Sequence, residues 1–113
     1  MISDSRAEKA VEYLRDNAKH YGQAKANRIY LEEYRKVKKA LGMKDAELDG
    51  VNSAAAQERE AYAGADYLEL ITGLRVAVAE EERIRWEMEA ARMTVEVWRT
   101  QSANNRTIDR SAE

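Results

Sequence analysis

Four arginines stand seven residues apart, Arg85, Arg92, Arg99 and Arg106. On a helix that spacing places them along one side over about 32 Å, a row able to track phosphates of a nucleic acid. Glu82, Glu89 and Glu96 precede the first three by three residues, the spacing at which side chains pair on a helix. Those arginines are therefore expected to be neutralised within their own helix and to cover an apolar seam. Arg106 has Ala103 at that offset and keeps its charge for a partner. The segment around it, with Arg92, Trp98, Arg99, Asn104, Asn105 and Arg106, is the candidate surface for a partner or nucleic acid. Asn104 and Asn105 read equally well as a helix C-cap.

Other chemistry finds less support. Glu80-Glu81-Glu82 and Glu32-Glu33 could suggest carboxylate metal ligation, but a di-metal bundle needs Glu-x-x-His, and the single histidine, His20, follows Asn17 at that offset. No metal site and no cofactor is expected. The glycines are scattered, so no phosphate loop forms, and no nucleophile is paired with a base. The chain is expected not to be an enzyme. Tyr13, Tyr21, Tyr30 and Tyr34 could stack on bases, yet such residues more often serve as core or interface side chains with a wet hydroxyl.

The elements that must position these residues are helices. Proline, cysteine and phenylalanine are absent, 35% of residues are charged, and no run alternates in the manner of a strand. Leu70, Leu74, Ala77, Glu81, Ile84, Met88, Ala91, Val95 and Trp98 step by four and three, the stripe of a coiled coil or bundle. Earlier in the chain, Ala7, Val11, Leu14, Ala18 and Tyr21 keep the same rhythm. Tyr30, Tyr34, Val37 and Leu41 keep it in a shifted phase, beyond a weakly apolar middle containing Lys25 and Arg28. Ser5 and Glu8 form a capping box, and Gly42 is placed to end the helix. The spacing thus predicts helices over about 5–41, 54–63 and 66–105, in one domain of residues 1–106, with a flexible tail over 107–113.

The expected fold is all-α, a long antiparallel helical hairpin with a short intervening helix. Folding back near Leu41 and Asp66 brings Glu81 opposite Lys25 and Arg28, which predicts a partly buried ion-pair network of Lys25, Arg28 and Glu81. Trp86, Met93 and Val97 lie off the seam and stay uncovered, which points to a homodimeric bundle. Nothing in the pattern suggests a membrane span or a secretory signal, so the expected setting is the cytoplasm.

The opening Ser5-Arg6-Ala7-Glu8-Lys9-Ala10 with Tyr13-Leu14, and the closing Val97-Trp98-Arg99-Thr100 leading to Ala103-Asn104 and Arg106, resemble small uncharacterised helical proteins of tailed bacteriophages and prophages. The resemblance covers both long helices. It implies a phage accessory protein in a bacterial host cell, acting by protein–protein contacts in DNA replication or recombination, or on a host factor. Two other readings stay open: nucleic-acid binding through the arginine-rich helix end, and a structural or assembly component of the phage particle.

Overall fold

The computed structural model describes residues 1–112. The chain is an all-α helical hairpin of three helices, α1 (Asp4–Leu48), α2 (Ala54–Ala63) and α3 (Ala65–Ala112), with no strand among the described residues. No helix among those residues is long and apolar enough to cross a membrane. The contacts divide the chain into two compact units. The first contains residues 1–22 and 82–113 and the second residues 23–81, so each takes a stretch of α1 and a stretch of α3.

In the first unit the two stretches run antiparallel. The Ile2 N–H donates to Gln101 Oε1 at 3.0 Å, and the Trp98 indole N–H donates to Asp4 Oδ1 at 2.7 Å. Further along, the Tyr13 hydroxyl donates to the Glu87 carboxylate. Ala7, Ala10 and Ile84 are buried between the helices, and Val11, Leu14, Met88, Ala91, Val95 and Trp98 are half-buried. The α3 seam expected from its four-and-three rhythm is thus the packed face. The cap of α1 differs from expectation by two residues. Ser3, not Ser5, receives the Arg6 N–H on its hydroxyl at 3.1 Å, while its carbonyl takes the Ala7 N–H.

At its other end α3 continues through Ala112, where a flexible tail from Thr107 was expected. Thr107 and Ser111 return their hydroxyls to the Ala103 and Thr107 carbonyls at 3.1 and 3.0 Å. These polar side chains find partners within the helix, and Arg110 in the last turn complements its dipole. Glu113 lies outside the described residues.

The second unit is again antiparallel, with Arg28 against Glu81 and Lys38 Nζ 3.9 Å from Asp66. Here the expected break at Gly42 is absent, and α1 runs on to Leu48. The reason is a close approach: a Cβ at Gly42 would lie 2.8 Å from Ala61 Cβ and 3.0 Å from Ala61 Cα. Gly42 is there to admit α2, with Ala46 and Ala61 buried at the same contact. The chain turns instead at Gly50, whose φ of 96° is the left-handed conformation that favours glycine. The Val51 N–H returns to the Ala46 carbonyl at 3.0 Å, and Gln57 donates to the Val51 carbonyl at 2.8 Å. Ser53 caps α2 by accepting the Ala56 N–H at 3.1 Å. Asp66 sits inside the first turn of α3, favourable for the dipole, and does not cap it.

The stripe of α1 also differs from its expected form. Its middle does not shift phase: Tyr21, Ala24, Arg28 and Leu31 are all half-buried and continue the steps of three and four set by Ala10, Leu14 and Asn17. Ala18 is exposed and falls off this seam.

Candidate interaction surface

The one buried charge among the described residues is Glu81, 6% exposed. Both of its oxygens accept from one guanidinium: Arg28 Nε lies 2.6 Å from Oε2 and Nη2 lies 3.0 Å from Oε1. Arg28 Nη1 reaches Glu32 Oε2 at 3.0 Å, one turn along α1. These two carboxylates raise the Arg28 pKa, Glu81 foremost and then Glu32, so the arginine stays charged at any ordinary pH. The predicted partner Lys25 is exposed, because it follows the seam residue Ala24 by one position, about 100° round the helix. The network is Arg28, Glu81 and Glu32. Glu32 was legible as the i,i+4 neighbour of Arg28.

Beyond the seam, the second unit carries another apolar row on α1. Tyr30, Tyr34, Val37, Leu41 and Leu48 step at heptad spacing, with Lys44 at the missing rung. At about 100° per residue they lie on the side of α1 away from Ala24, Arg28 and Leu31. Tyr30 is 62% exposed, Leu41 49% and Leu48 76%. The Tyr30 and Tyr34 rings stack with centroids 5.8 Å apart, and Lys38 Nζ stands 5.8 Å over Tyr34. These residues keep the rhythm in a shifted phase, and of them Tyr30, Val37, Leu41 and Leu48 face outward while Tyr34 is half-buried. Lys39, beside them, is held by Tyr62 and Glu58 of α2, which raise its pKa, the tyrosine contact first.

The first unit repeats the arrangement on α3. Trp86, Ala90, Met93 and Val97 form a row nearly opposite the packed seam of Ile84, Met88, Ala91 and Val95. Trp86 is 61% exposed and Met93 58%. The expected intrahelical pairs flank it: Arg85–Glu82 at 3.4 Å, Arg92–Glu89 at 3.2 Å and Arg99–Glu96 at 3.2 Å. Glu82 also accepts the Trp86 indole N–H at 2.9 Å, and the Arg85 guanidinium lies 5.2 Å from the Trp86 ring. The phosphate-tracking row is thus a row of alternating signs. Across the unit, the Glu87 hydrogen bond raises the Tyr13 pKa above its ordinary value.

The helix-end candidates come together in part. Trp98, Arg99 and Arg106 line an open groove of about 730 Å³ with Asp4. Arg92 stands apart from it on its Glu89 pair, and Asn104 and Asn105 are exposed within the helix, where a cap was the alternative. Arg106 makes no ion pair among the described residues. Compared with known proteins, the chain matches no family model, no curated protein and no solved structure at a significant level.

Proposed function

We propose that this chain is a non-enzymatic accessory protein that works by binding other helical proteins on its outward apolar rows. The observation carrying this reading is that each long helix is apolar on two sides and packs only one of them. The packed seam holds the buried side chains, and in the rows Tyr30–Leu48 and Trp86–Val97 most of the large side chains stay 40–76% exposed. Rows of large apolar side chains at heptad spacing are the surface a partner helix recognises. The phage setting, and a place in replication, recombination or host-factor binding, rest on the resemblance of the two helix ends. Nucleic-acid binding draws support only from Arg106 and its groove, since the other three arginines of the ladder are matched by acids.

The test is affinity capture from bacterial cells carrying the corresponding phage, with the wild-type chain and with Leu41→Glu, Met93→Glu and Arg99→Ala/Arg106→Ala variants. A captured protein lost with Leu41→Glu or Met93→Glu, and kept by the double arginine variant, is the expected result. Capture of nucleic acid that weakens steeply with salt and disappears with Arg99→Ala/Arg106→Ala would replace this reading with the nucleic-acid one.

A further inference from the structure

The row on α3 has a symmetry that the row on α1 lacks. Along it the side chains run large, small, large, medium: Trp86, Ala90, Met93, Val97. Set antiparallel against a second copy about a two-fold axis between residues 91 and 92, Trp86 meets the partner's Val97 and Ala90 meets the partner's Met93. Each large side chain then faces a smaller one, the arrangement that fills an interface without voids. Beside it runs the alternating row Glu82, Arg85, Glu89, Arg92, Glu96, Arg99, and reversal about nearly the same point brings acid to base at every rung. Glu82 meets Arg99, Arg85 meets Glu96, and Glu89 meets Arg92. The two centres differ by one residue, so each acid and its facing base are offset by about 3 Å along the axis, which a long arginine spans. Arg85 already lies over Trp86, at the edge of the row.

From these two patterns we infer that α3 pairs antiparallel with α3 of a second copy through Trp86, Ala90, Met93 and Val97. This inference rests on the outward rows being contact surfaces and names the partner of one of them. The row is about 17 Å long, a patch of a few hundred Å², short of the roughly 800 Å² per partner of a standard interface. The dimer is therefore weak and reversible, with dissociation in the micromolar range or above.

Sedimentation equilibrium from micromolar to millimolar protein reads it, with circular dichroism to verify that each variant stays helical. The wild-type mass rises with concentration from 12.9 kDa toward twice that value, and Met93→Glu holds it at the monomer. Arg85→Glu and Glu96→Arg singly weaken association about tenfold, because each mismatch occurs twice in a two-fold dimer. The two changes together restore most of it. In the double variant the intrahelical neighbours at 82 and 85, and at 96 and 99, become like-charged, so recovery reads only the pairing between copies. A wild-type chain that stays monomeric at millimolar concentration overturns the inference, as does association indifferent to Met93→Glu, or a double variant no better than the singles. A monomer that still captures a cellular protein through Leu41 leaves the proposed function standing and removes this inference alone.

Discussion

Gly42 offers the sharpest prediction, because two effects of opposite sign meet there. Glycine inside a helix costs about 1 kcal/mol relative to alanine, so a Gly→Ala change at an open helical position stabilises by up to that amount. Gly22 in α1 and Gly73 in α3 are such positions, with nothing within 4 Å of an added Cβ. At Gly42 the added Cβ would stand 2.8 Å from Ala61 Cβ and 3.0 Å from Ala61 Cα. Ordinary carbon contacts lie at about 3.5–4.0 Å, and the obstacle is backbone with a one-carbon side chain that no rotamer can move. Helix α2 has to retreat by the better part of an ångström, loosening the buried Ala46–Ala61 contact. Overpacking of this kind costs about 1–3 kcal/mol, which outweighs the propensity gain. Gly42→Ala should destabilise by about 1 kcal/mol net, while Gly22→Ala and Gly73→Ala stabilise by about 0.5–1 kcal/mol each. Urea unfolding followed at 222 nm measures all three. The pair Gly42→Ala/Ala61→Gly should recover part of the loss, giving a coupling that neither single change shows. Were Gly42→Ala as stabilising as Gly22→Ala, the close approach of α1 and α2 would be disproved.

Three further outcomes follow from the same contacts. Arg28→Met alone should lower the thermal midpoint markedly, since it leaves the Glu81 carboxylate buried without its guanidinium, whereas Arg28→Met/Glu81→Leu should match or exceed the wild type. A double variant as unstable as the single one would mean that the pair itself supports the fold. The Tyr13 pKa is raised by its hydrogen bond to Glu87, so the folded chain holds that proton more tightly than the unfolded chain. That contribution to stability is complete below the ordinary tyrosine pKa near 10 and fades as pH rises through the higher folded value. In an absorbance titration at 295 nm one tyrosinate should appear late, and Tyr13→Phe should remove it. Asp4→Asn keeps an acceptor for the Trp98 indole and should leave its fluorescence near wild type, whereas Asp4→Leu should shift it; equal spectra would argue against that hydrogen bond.

Much of the fold was legible because period and partner agree. On α3 the stripe from Leu70 to Trp98 is the packed face, its single acid found the arginine expected opposite it, and the Glu–Arg pairs formed at their three-residue spacing. The misreadings come from signals with two physical causes. Glycine marks a helix end or a close approach, and only the tertiary position of Ala61 shows that Gly42 is the second. A heptad row marks a core or an outward face, and Tyr30, Val37 and Leu41 keep the rhythm of the first while lying exposed. Periodicity records that a face is apolar; it does not record which face the neighbouring helix takes when two compete. Ser3 and Ser5 competed in the same way for the cap, and the helix began one residue after the earlier serine.

The central claim is that the outward rows are the working surface of the chain. Site-specific photocrosslinking in cells expressing the chain tests it most directly, with a photoreactive residue placed in turn at Val37, at Met93 and at the exposed His20, which lies on neither row. The account predicts protein adducts from Val37 or Met93 and none from His20. Adducts equally frequent at all three positions, or confined to His20, would contradict it.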